Sequence, residues 1–131
     1  MKFKELCIEH IKETLPEFIG QSEYVADLGY KLTENENMTG SWYCSAYDAT
    51  QDLNEWMTDN DAEEVVNYYR QNFGMIPSDP IGEPEKYHLI LVIAGVEYFF
   101  NQSDTVQELW NDEVLITKKL VQKIIKELEN L

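Results

Sequence analysis

The chain reads as all-α: one compact domain of five or six helices, residues 1–131, packed around a central apolar helix at residues 87–100. Three observations predict this. Apolar residues recur at spacings of three and four through most of the chain. Residues with helix-capping side chains stand just ahead of these periodic stretches. One run, Tyr87 to Phe100, is apolar on nearly every side, which marks a helix that others surround. At 131 residues and 15.4 kDa a single core is expected, burying roughly two-thirds of the surface the unfolded chain exposes.

The elements follow in order. Phe3, Leu6, Cys7, His10, Ile11, Leu15 and Phe18 define one face of a first helix, which Pro16 bends or ends. Ser22 can cap a second helix through Tyr24, Val25, Leu28 and Leu32, before the polar stretch Thr33 to Asn37. Ser45 with Asp48 resembles a capping box for a helix carrying Ala49, Leu53, Trp56 and Met57. Thr58 or Asp59 can cap the next, carrying Ala62, Val65, Val66 and Tyr69 and closing at Gly74. Pro77, Pro80, Gly82 and Pro84 make residues 75–84 a loop short enough to join two helices of one domain. Pro84 suits the first turn of the central helix. Val92, Ile93, Val96 and Tyr98 keep a strand reading open there, but its length favours a helix. Ser103 or Asp104 caps a short segment through Val106, Leu109 and Trp110. Thr117 starts a last helix with the apolar stripe Leu120, Val121, Ile124, Ile125, Leu128 and Leu131.

Charge is unevenly placed. Residues 32–117 hold seventeen Asp and Glu against only Arg70 and Lys86, whereas the two flanks hold eight acids and eight lysines and cancel. The net charge of −15 therefore belongs to the central block. Such a field repels nucleic acid and anionic membrane and favours a basic partner. The sequence is 44% hydrophobic, with sixteen Trp, Tyr and Phe, and so is too apolar and aromatic for a disordered acidic tail. Cys7 and Cys44 are expected as reduced thiols in a cytoplasmic protein. Glu5, Glu9 and Glu13 interrupt any signal-peptide core. The longest apolar run falls short of the roughly 20 residues that a membrane helix requires.

The strongest candidate site is the segment from Asp48 to Glu64. Asp48, Asp52, Glu55 and Asp59 are spaced four, three and four apart, and Asp61, Glu63 and Glu64 continue the charge. On a helix these spacings set successive carboxylates roughly 6 Å apart on one face, close to the phosphate spacing along a nucleic-acid strand. An ordinary solvated face intersperses lysines, which this segment lacks. The plainer explanations are solvation and favourable placement of acids near helix starts. Trp56 and the neighbouring aromatics are mostly core material, yet Tyr and Trp also anchor interface centres.

Other chemistries are weak. Cys7-Ile8-Glu9-His10 has a Cys-x-x-His spacing, but only Cys44 and His88 remain to complete a structural zinc site. Glu85-Lys86-Tyr87-His88 is one Glu-x-x-His where a di-iron bundle uses two. Asp59 to Glu63 opens like a calcium loop, but Glu64 stands where glycine is required and Arg70 where glutamate is required. No catalytic residue, metal site or cofactor is therefore assigned. The lysines at 118, 119, 123 and 126 alternate with the core stripe and accompany acids, unlike a nucleic-acid-binding surface.

Leu32-Thr33-Glu34-Asn35-Glu36-Asn37, Asn72-Phe73-Gly74 and Trp110-Asn111-Asp112-Glu113 give residues 24–117 a resemblance to small acidic proteins carried by phages and other mobile elements of bacteria. The resemblance implies a protein that binds and blocks a host protein, including nucleases of restriction and CRISPR systems. The expected function is a non-enzymatic acidic inhibitor of a basic, nucleic-acid-handling protein. The alternatives are a structural or assembly protein that oligomerises through the apolar stripe of its C-terminal helix, residues 115–131, and an enzyme or metalloprotein using Cys7, His10, Glu85 or His88.

Overall fold

The computed structural model describes residues 2–33, 61, 64 and 95–131. The expected helices between Ser45 and Gly74, the loop at 75–84 and most of the expected central helix lie outside them. Helix α1 (Phe3–Thr14) forms where the periodicity places it. Phe3, Cys7, Ile11 and Leu15 recur every fourth residue, and all four are completely buried. Pro16 prevents the α-helix from continuing, and the chain tightens into a 3-10 turn at Leu15–Phe18. Gly20 then reverses the chain at φ 94°, and its backbone N–H donates to the Ile116 carbonyl at 2.9 Å. No atom lies within 4 Å of where a Cβ would sit, so the backbone angle alone requires glycine.

The next segment corrects the all-α expectation. Ser22 does not cap a helix: Ser22–Tyr24 is a strand, β1, and α2 spans Val25–Lys31. Strand β1 pairs antiparallel with β2 (Glu113–Leu115), in the register Ser22 to Leu115, Glu23 to Val114 and Tyr24 to Glu113. The described chain is thus helix-rich with a small two-stranded sheet. Bonds from Ile116 N to Gln21 O at 2.9 Å and from Val25 N to Asp112 O at 3.1 Å extend the ladder at both ends. Alternation along the ribbon sends Glu23 inward, where Lys31 of α2 meets it at 2.7 Å, and sends Tyr24 and Leu115 outward.

Residues 95–100 are helical and are labelled α3. Val96, Phe99 and Phe100 are buried, as expected for part of a central helix. Two glycines set how closely its neighbours approach. A Cβ at Gly95 would lie 2.7 Å from Cys7 Sγ and 2.8 Å from Phe3 Cε1, so α1 crosses α3 at a point with no room for a methyl group. A Cβ at Gly29 of α2 would lie 3.3 Å from atoms of Glu97, Phe100 and Asn101. The chain then forms α4 (Asp104–Glu108), β2 and α5 (Lys118–Glu129). Ser103 caps α4 by accepting from Val106 N, and Thr117 caps α5 by accepting from Leu120 N, both at expected caps. Val121, Ile124 and Leu128 of α5 complete the core, while Leu131, placed on the same stripe by periodicity, is 46% exposed.

Candidate acidic interface

Of the predicted interface residues, Asp61 and Glu64 are described, and both are exposed. An antiparallel bridge between Lys2 and Asp61 puts this part of the acidic segment beside the start of α1. Asp48, Asp52, Glu55, Trp56, Asp59 and Glu63 lie outside the described residues. Seven of the seventeen acids of the central block are described, namely Asp61, Glu64, Glu97, Asp104, Glu108, Asp112 and Glu113. All except Glu97 are exposed, and none forms an ion pair among the described residues. In this region the negative field is therefore carried by surface carboxylates that form no ion pair with a cation among the described residues.

Four of these acids, Asp104, Glu108, Asp112 and Glu113, fall within ten residues that contain no lysine or arginine. The same stretch and the ribbon beside it expose Trp110, Tyr24 and Leu115. Ser22, Tyr24, Glu113 and Leu115 share the outer face of the ribbon, since directly paired residues point to the same side. A hydrogen bond to the Glu113 carboxylate, helped by its charge, raises the Tyr24 phenol above its usual range. Exposed aromatics thus stand here beside acids that form no ion pair among the described residues, in addition to the acidic segment Asp48 to Glu64 to which the sequence pointed. Chain periodicity did not reveal this second patch, because the pairing that forms it joins residues some ninety positions apart.

Of the groups considered for catalysis, Cys7 and His10 are described. Cys7 is fully buried, and loss of solvation pushes its thiol well above the usual range, so it is neither a thiolate nucleophile nor an open ligand. His10 Nε2 lies 3.1 Å from the Leu32 carbonyl, which can only accept, so this nitrogen carries the hydrogen and ties α1 to the end of α2. Glu85 and His88 are outside the described residues. Among the described residues no group of three or more His, Cys, Asp or Glu could hold a metal ion, and no helix is long and apolar enough to cross a membrane. A groove of about 310 Å³ between α1 and α5 is lined by Lys4, Glu5, Ile8, Glu9, Lys12 and Glu129. Its charges are mixed, and Lys12 pairs with Glu129 at 3.4 Å and Glu9 at 3.9 Å.

Two carboxylates that sequence reasoning left without a role have defined environments. Glu127 of α5 accepts from Ser103 Oγ at 2.6 Å, Thr105 N at 2.8 Å and Thr105 Oγ1 at 2.6 Å. Burial opposes its ionisation, but these bonds and the nearby Lys123 outweigh burial and hold the carboxyl below its usual range. Glu127 is thus a second, long-range cap on α4. Glu97 lies at the α2–α3 contact with Oε2 buried and without a hydrogen-bond partner among the described residues, and burial raises its pKa.

No protein-family model, no curated protein and no solved structure matches this chain.

Proposed function

We propose that this protein is a non-enzymatic cytoplasmic binding module whose acidic surface, centred on Asp48 to Glu64, occupies a basic site on a nucleic-acid-handling protein, such as a defence nuclease, and blocks it. The observation that carries this reading is the run of seven acids in seventeen residues without one cation, of which Asp61 and Glu64 stand exposed. The unpaired acids and exposed aromatics of the α4–β2 region extend the same chemistry. Negative charge steers a basic partner into encounter, and aromatic burial then slows its release. Affinity of this kind falls as salt screens the charges, over a Debye length of about 8 Å at physiological ionic strength.

The test is affinity capture from bacterial lysate at about 0.05 M and about 0.5 M salt, spanning strong to weak screening, with the wild type beside the triple variant Asp52→Lys, Glu55→Lys, Asp59→Lys. A DNA- or RNA-handling protein retained by the wild type at low salt, released at high salt and lost by the variant supports the reading. Equal capture by the variant overturns it.

The apolar stripe expected to serve assembly through the C-terminal helix is largely taken up by the chain's own core. Val121, Ile124 and Leu128 are 4%, 3% and 0% exposed within the chain's own core. The outward face of α5 is cationic.

A further inference from the structure

Helix α5 contains four lysines and two glutamates in twelve residues. At about 100° per residue, Lys119, Lys123 and Lys126 fall within an arc of about 60°, opposite the buried Val121, Ile124 and Leu128. All three lysines are exposed. Both glutamates are turned to the flanks of this arc and held there. Glu127 bonds to Ser103 and Thr105 at the start of α4 on one side, and Glu129 pairs with Lys12 of α1 on the other. Lys123 supports the ionised Glu127, and no ion pair engages Lys119 or Lys126 among the described residues. The strip between the flanks is therefore purely cationic and points away from the described neighbours of α5.

We infer that the lysine face of α5 docks the acidic block of a second copy of this chain, so that the protein self-associates through charge. Complementarity of sign and spacing supports this occupant. Lys119, Lys123 and Lys126 are spaced four and three apart, matching the four, three, four spacing of Asp48, Asp52, Glu55 and Asp59. The lysine stripe sets like charges at helical spacing, which costs α5 a little when alone and is relieved when an acidic partner meets it. Nucleic acid is the poorer occupant, because three lysines neutralise few phosphates while a net charge of −15 repels the rest.

That net charge also opposes two copies meeting, and salt decides which effect wins. At about 0.01 M the Debye length is about 30 Å, so the whole charge of each copy is felt and repulsion prevails. At about 0.1 M it is about 10 Å, and the lysines sense chiefly the acids they touch. At about 1 M the contact itself is screened. Self-association should therefore peak at intermediate salt, unlike apolar assembly, which salt does not weaken. The inference stands apart from the inhibitory reading, since it concerns purified protein alone and requires no foreign partner.

Sedimentation velocity of the full chain at these three salts tests it, together with zero-length carbodiimide cross-linking of mixed ¹⁴N- and ¹⁵N-labelled protein. The expected result is association strongest near 0.1 M, with mixed-isotope cross-links from Lys119, Lys123 or Lys126 to carboxylates in residues 48–64. The variant Lys119→Glu, Lys123→Glu, Lys126→Glu should associate at least tenfold more weakly with an unchanged circular dichroism spectrum. Mixing it with Asp48→Lys, Asp52→Lys, Glu55→Lys should restore association between the two variants, and Lys118→Glu, outside the arc, should behave as wild type. A monomer at every salt, cross-links only within one copy, or undiminished association of the lysine variant would overturn the inference. So would lysine-dependent binding of a short DNA duplex by protein that stays monomeric.

Discussion

Two helix junctions in this molecule are held by opposite means. Where α1 crosses α3 the contact is dry and defined by shape: Gly95 lies against Cys7 and Phe3 with no room for a further carbon. Where α5 meets α4 it is polar and defined by one carboxylate, with Glu127 accepting three hydrogen bonds at 2.6–2.8 Å. The first should be intolerant of added volume and indifferent to pH. The second should tolerate changes of volume better and depend on ionisation. The contrast extends to the carboxylates themselves. Glu127, with three donors and a nearby lysine, is held below its usual range, whereas Glu97, with an unpartnered buried oxygen, is raised above it. Burial acts in the same direction on both, and the surrounding donors decide the outcome.

The largest expected effect breaks the dry junction. Gly95→Val adds volume where even a Cβ would lie 2.7 Å from Cys7 Sγ, and should destabilise the fold by about 3 kcal/mol. Cys7→Ala in the same chain should recover part of that loss, giving a favourable coupling in a double-mutant cycle read by urea unfolding. Next comes the polar junction. Glu127→Ala removes three hydrogen bonds to an ionised, partly exposed group and should cost about 2 kcal/mol at pH 7. Because the folded-state pKa of Glu127 is lowered, its contribution is complete above the ordinary value of 4.5 and is lost as pH falls through the folded value. Thermal melts of wild type and variant should therefore converge under acid conditions.

The smallest effect has the opposite sign. Glu97 has a raised folded-state pKa, so its ionisation at neutral pH costs stability. Glu97→Gln should stabilise the protein at pH 7 by about 1 kcal/mol, on the scale of a partly buried polar group without a partner. The gain should shrink as pH falls through the raised folded-state value and be lost below 4.5, where wild-type Glu97 is neutral in both states. Melts that show no gain at pH 7, or a gain that grows on acidification, would show that Glu97 is not strained by burial. Together the three variants separate volume, bonded charge and unbonded charge as sources of stability.

Local signals were legible before the fold was known. The four-residue ladder from Phe3 to Leu15, the break at Pro16, and the caps at Ser103 and Thr117 all depend on residues within a few positions of each other. The structure reproduces each of them. Ser22 shows where such signals fail. It has a capping side chain just ahead of an apolar period, yet three residues here are recruited as a strand by partners at 113–115. A three-residue strand has no periodicity of its own to read. The Glu127 cap was hidden in the same way, since its donors lie 22 and 24 positions away in sequence.

The candidate interface divides along the same line. By itself, the amino-acid order determined the sign of the charge, its confinement to the central block and the absence of cations among residues 48–64, because charge is a property of composition and position. It also determined the period of α5 and hence that its lysines oppose its apolar stripe. Only the tertiary structure decided which charges remain available. Bonds across the fold occupy Glu23, Glu127 and Glu129, bury part of Glu97, and leave Asp104, Glu108, Asp112, Glu113 and the α5 lysines facing water. The physical reason is that ionisation and exposure depend on which donors and apolar groups come within a few ångströms, and most of those neighbours are distant in sequence.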